Sequence, residues 1–224
     1  MEGIVYLVSA LLLIVTVVVI SMLRRHRRAE FIRTFRFPDG LFAKLKARHP
    51  HLTQKDCHLV TQGLRQFFLS YLKSDRQFVS MPSQVVDDLW HEFILYTKAY
   101  HGFCKQAFGR FMHHTPAVVL SSDHGTNTGS RRCFWQSCKA ENIDPNNPSR
   151  LPLLFALDEK LRIPAGFHYK ANCDSLRTLA GATAGTTVIH CGGDFASISF
   201  DGTIDGFGDG GDGGSDGGGG CGGD

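Results

Sequence analysis

The chain has 224 residues, 42% of them hydrophobic, with 24 lysines and arginines against 21 aspartates and glutamates and a net charge of +3. That apolar content excludes a wholly disordered chain and leaves enough material for one domain of ordinary size. Seven cysteines, an odd number without a CxxC pair, exclude a dense disulfide framework and read as reduced thiols, mostly buried, in a cytoplasmic domain. The small net charge conceals a gradient. Basic residues dominate from Arg24 to Arg76, whereas no lysine or arginine follows Arg177.

Ile4 to Leu23 carries no charge and is rich in leucine, valine and isoleucine. Twenty helical residues rise about 30 Å, the thickness of the hydrocarbon layer, and lipid leaves backbone groups no partner except a helix. Arg24, Arg25, His26, Arg27 and Arg28 follow at once, while only Glu2 is charged before the run. The excess of positive charge on that side places the N-terminus outside and the remaining domain in the cytoplasm. A cleaved signal peptide fits less well, because its leading segment would be basic and its apolar core shorter. The arginines, Arg24, Arg25, Arg27 and Arg28, are expected to meet the bilayer surface, including anionic headgroups. No RNA- or DNA-binding motif accompanies the basic segment, so nucleic acid is not an expected partner.

Pro38-Asp39-Gly40 opens a short helix that His49-Pro50 ends. Thr53 and Asp56 have capping-box spacing before a helix whose stripe is Cys57, Val60, Leu64, Phe67, Phe68 and Tyr71. Met81-Pro82-Ser83 starts the next helix, with Pro82 suited to its first turn. Val86, Leu89, Trp90, Phe93, Thr97 and Tyr100 continue it at helical spacing, and Gly102 and Gly109 offer breaks around a short segment carrying Cys104. Residues 121–130 read as a polar loop, about 131–141 as a helix, and Leu151 to Leu161 as a short apolar helix.

The expected fold is therefore mainly α: a transmembrane anchor with its basic flank over residues 1–30, and a compact helical domain over 31–175. A flexible tail over 176–224, largely glycine and aspartate past Asp201, completes it.

Chemistry concentrates around Asp87, His91, Tyr100, Cys104, His113 and His114. On a helix Asp87 lies one turn before His91, where its carboxylate fixes the imidazole as an outer partner in a metal site. Imidazole nitrogen and thiolate sulfur are good zinc ligands, so His91, Cys104, His113 and His114 are candidate ligands, with Asp87 and Tyr100 in support. His91 and Cys104 are thirteen residues apart, about 20 Å along an unbroken helix, so such a site requires the helix to fold back, with Gly102 as the expected hinge. The competing account pairs His91 with Asp87 and buries Cys104 in the core. A thiol enzyme, with Cys104 as nucleophile and a histidine as base, lacks a recognisable oxyanion-hole motif.

The spacing Trp90-His91, Tyr100, Cys104 resembles the signature of the glycine-rich domain-containing protein-like family. In its plant members a second histidine follows, at the position that Phe93 holds here, so one candidate ligand of that pattern is missing. Met81 to Pro116, Asp144-Pro145 and the run Leu151 to Asp158 are similar to bacterial membrane-anchored relatives, and the glycine-rich end agrees. The resemblance implies an architecture and no established activity. The RNA-binding module of some plant relatives has no counterpart here.

Two functions follow as expectations. The first is a membrane-tethered scaffold or interaction domain, with an unidentified protein partner, steadied by a metal such as zinc. The second is an enzyme, either a metal-dependent hydrolase at those residues or a thiol enzyme at Cys104.

Overall fold

The apolar run does not end at the arginines. In the computed structural model, which describes residues 1–114, 125–171 and the short strand at 190–191, helix α1 runs unbroken over Glu2–Thr34. It is long and apolar enough to cross a membrane, and none of its apolar window is buried inside the protein. Its last turns behave differently. Ile32 is fully buried, Phe31 and Phe35 pack on the core, and the helix passes the expected boundary at residue 30 without a break. The apolar run and the first turns of the domain thus share one continuous helix.

Helix α2, Leu41–Arg48, starts at Gly40, whose φ of 88° is the left-handed conformation that glycine adopts without strain. Helix α3, Gln54–Lys73, begins with the expected capping box, in which Thr53 and Asp56 satisfy each other's backbone N–H groups. Its buried stripe contains Cys57, Val60, Leu64, Phe67, Phe68 and Tyr71, as the periodicity requires. This helix is the centre of the domain, packing against α1, α2, α4 (Gln84–Leu95), α6 (Gly125–Ala140) and α7 (Leu153–Lys160). At Gly63 the approach is close: a Cβ there would lie 2.4 Å from a Leu157 methyl group and 3.0 Å from Val86.

The segment expected to form one helix up to Tyr100 forms two. Helix α4 spans Gln84–Leu95 and α5 spans Thr97–Phe108, with Tyr96 as the hinge and Gly102 inside α5. Packing explains the break. Phe93 and Tyr100 are seven residues apart, about 10 Å along a straight helix, yet their ring centroids are 5.3 Å apart edge to face. The bend lets both helices present aromatics to one cluster, in which Phe103 meets Phe35 and Phe68, each at 4.8 Å, and Phe93 at 5.6 Å. Pro82 stands just before the helix, and Ser83 is the residue that caps it.

Helix α6 also begins earlier than its composition indicates, taking in residues 125–130 of the expected polar loop. Gly129 explains part of this extension, since the absent side chain allows Phe78 and Ser80 to pack directly on it. Two short parallel strands, β1 (Tyr169–Lys170) and β2 (His190–Cys191), add the only β-structure among the described residues. Apart from that strand, the expected tail over 176–224 lies outside them.

Candidate metal centre

Asp87 sits in the first turn of α4, where a carboxylate complements the helix dipole, and His91 follows one turn later. The third member, His114, arrives from the segment after α5. Gly109 turns that segment at φ 75°, and Met112 is buried within it. The buried Tyr100 hydroxyl donates to the Met112 carbonyl at 2.6 Å and accepts from the Trp90 indole N–H at 3.2 Å. The Trp90 ring then packs edge-on against His114, with centroids 4.6 Å apart.

These constraints deliver His114 Nε2 to 2.9 Å from Asp87 Oδ1, while His91 Nδ1 lies 3.5 Å from the other carboxylate oxygen. The two imidazoles are 4.1 Å apart between centroids. One potential ligand atom from each of the three residues lies within 4.8 Å of the others. The His114 and Asp87 side chains are 12% and 22% exposed and His91 is 44% exposed, so the group has a sheltered floor and an open outer side. Two imidazoles and one carboxylate suit zinc and other first-row transition metals. Bonds of about 2 Å to one tetrahedral ion hold its ligand atoms roughly 3.3 Å apart, comparable with the 2.9 and 3.5 Å separations between the Asp87 carboxylate and the two imidazoles. The His114 contact is a hydrogen bond, whereas His91 meets the carboxylate at ion-pair distance.

The structure groups Asp87 with His91 and His114 and leaves Cys104 and His113 apart. Cys104 is fully buried in the aromatic core. Burial pushes its thiol up, only partly opposed by hydrogen bonds with the Met112 backbone and the Tyr100 side chain. Nucleophilic chemistry at Cys104 therefore has neither access nor a ready thiolate. His113 is exposed and faces the Phe111 ring at 4.8 Å. Asp87 stands among the candidate ligands themselves, whereas the sequence reading placed it behind them. Tyr100 acts at one remove, holding both Trp90 and Met112.

A residue the sequence reading passed over orients α4. Asp158 of α7 is buried, accepting from the Ser83 hydroxyl at 2.7 Å, Gln84 N at 2.7 Å, Val85 N at 3.2 Å and Phe167 N at 2.9 Å. Helix N-termini leave N–H groups unpaired, so this carboxylate is the anchor of the helix that carries Asp87 and His91. The start of α7 is held the same way. Glu141 accepts from Leu153 N at 2.6 Å and from the Gln66 amide at 2.8 Å, and the oxygen of that amide accepts from Leu154 N at 2.9 Å. A carboxylate at the end of a short apolar run was the available signal for Asp158.

A family model described as UCP032817-like matches residues 27–195, from the last turns of α1 through β2. The chain belongs to the UCP032817-like family. Every helix of the domain and all three candidate ligands fall within the matched stretch, whereas the apolar run of α1 and the glycine-rich end fall outside it. The UCP032817-like family is uncharacterised, and no curated protein and no solved structure matches the chain.

Proposed function

We propose that the chain is a membrane-tethered, metal-binding interaction domain. Helix α1 spans the bilayer with its arginines and the domain on the cytoplasmic side, and Asp87, His91 and His114 hold one divalent transition metal, zinc foremost. The observation that carries this reading is that a single carboxylate, Asp87, lies within 3.5 Å of two imidazoles brought from separate chain segments. Structural zinc sites close with four protein ligands, while three ligands and an exposed side leave a position for water or for a donor from a partner. The metal would pin the segment 109–114 to α4 and present its open position outward. The resemblance to glycine-rich, membrane-anchored bacterial proteins supports the tethered arrangement.

The same open position favours the second reading, a metal-dependent hydrolase, in which bound water is the nucleophile. Metal analysis of the full chain purified in detergent tests the centre itself. Stoichiometric zinc, lost in Asp87→Asn, His91→Ala and His114→Ala and kept in Cys104→Ala and His113→Ala, is the expected result. Zinc that follows Cys104 in place of Asp87 overturns the assignment.

A further inference from the structure

On α1, Val17, Ile20, Ser21, Arg24, Arg25 and Arg28 recur at intervals of three and four residues and share one face. That face lines a cleft of about 720 Å³, closed on its far side by Leu72, Asp75 and Arg76 beyond and at the end of α3. The cleft is graded along its length. Its α1 wall is apolar at Val17 and Ile20, and its domain end holds four guanidinium groups against one carboxylate.

The four arginines are not equivalent. Arg25 is committed, donating to the Lys73 carbonyl at 2.5 Å and pairing with Asp75 at 3.4 Å, which satisfies the C-terminal end of α3. Arg76 donates to the Phe108 carbonyl at 3.3 Å. Arg24 and Arg28 have no hydrogen-bond or ion-pair partner among the described residues, although both line the cleft and Arg28 rests against Gly109. Two uncommitted cations thus stand where the apolar span ends, next to an apolar wall continuous with that span. Arg27, equally basic and adjacent in sequence, does not line the cleft.

We propose that this cleft is a binding site for one anionic phospholipid, its phosphate held by Arg24 and Arg28 and an acyl chain lying along Val17 and Ile20. The proposal rests on the reading of α1 as a membrane span. It differs from general attraction of a basic collar to a charged surface, because it assigns the interaction to particular arginines. Guanidinium groups bind phosphate oxygens in paired hydrogen bonds, and the bilayer interface is where a phospholipid carries its phosphate.

The test uses the full chain reconstituted in nanodiscs of phosphatidylcholine with a minority of phosphatidylglycerol, followed by native mass spectrometry of the released protein. Retention of one phosphatidylglycerol is expected, with Arg24→Gln/Arg28→Gln lowering it about tenfold and Arg27→Gln leaving it unchanged. Equal loss in Arg27→Gln, or equal retention of phosphatidylcholine, overturns the proposal. Displacement of the lipid by added inorganic phosphate alone also overturns it, because the site would then be one for a free anion. Whether the chain stays with the nanodisc after an alkaline wash is read separately. Release there refutes the membrane span, whereas a retained chain without selective lipid refutes the cleft alone.

Discussion

The Tyr100 hydroxyl donates to the Met112 carbonyl at 2.6 Å, two residues before His114. That bond ties α5 to the segment that completes the candidate metal centre, and the same oxygen receives the Trp90 indole N–H beside His91. A buried phenol with no ligand role thus sets the distance between two histidines that are twenty-three positions apart in the chain.

Tyr100→Phe keeps the ring and deletes both bonds, leaving a buried carbonyl and a buried indole N–H unpaired. The expected cost is about 1–3 kcal/mol of stability, with zinc affinity lowered about tenfold through the displaced His114. Chemical denaturation and zinc titration of the full chain in detergent read the two effects separately. An affinity equal to that of the parent would show that Tyr100 does not position the centre.

Asp158→Ala removes the acceptor for three backbone N–H groups and the Ser83 hydroxyl at once. Several buried donors left unpaired destabilise the domain by about 3 kcal/mol or more. Asp144→Ala is the comparison, since that exposed carboxylate accepts only from Asn146 N among the described residues. Denaturation midpoints that fall equally in the two variants would contradict the anchoring role.

Glu141 introduces a pH dependence. Burial pushes its carboxyl up, but hydrogen bonds from Gln66, Leu153 N and Arg150 outweigh that and hold it below the ordinary glutamate value of 4.5. A depressed folded-state value contributes stability that is fully present above 4.5 and is lost as pH falls through the folded value. Denaturation midpoints of the parent should therefore drop in this acid window, and Glu141→Gln should show a shallower drop. Parallel pH profiles would remove Glu141 as a cause.

The four buried thiols, Cys57, Cys104, Cys133 and Cys138, should be inert. Burial pushes Cys133 and Cys138 up to about 12 and raises Cys57 and Cys104 as well. Maleimide labelling at neutral pH, mapped by mass spectrometry, should leave these four unmodified in the folded chain and label them all after denaturation. Rapid native labelling of Cys104 would reopen the thiol-enzyme reading.

Much of the architecture was legible in local pattern. An uncharged stretch of bilayer length, the Thr53–Asp56 cap and the stripe from Cys57 to Tyr71 each specify a helix through neighbours three or four residues away. The extension of α6 into a glycine-rich stretch and the bend at Tyr96 were not legible. Tertiary packing accounts for the bend through the Phe93–Tyr100 contact across the hinge, and for part of the extension through Phe78 and Ser80 on Gly129.

The candidate site divides in the same way. The sequence by itself determined that Asp87 and His91 share a helix face, because one turn of helix is a property of any chain segment. Only the tertiary structure decided that His114 joins them while Cys104 and His113 do not. That choice depends on where a turn at Gly109 and a hydrogen bond from Tyr100 carry the chain after α5, and on how the aromatic core encloses a thiol. Short-range spacing encodes a face, whereas convergence from separate segments is a property of the packed fold.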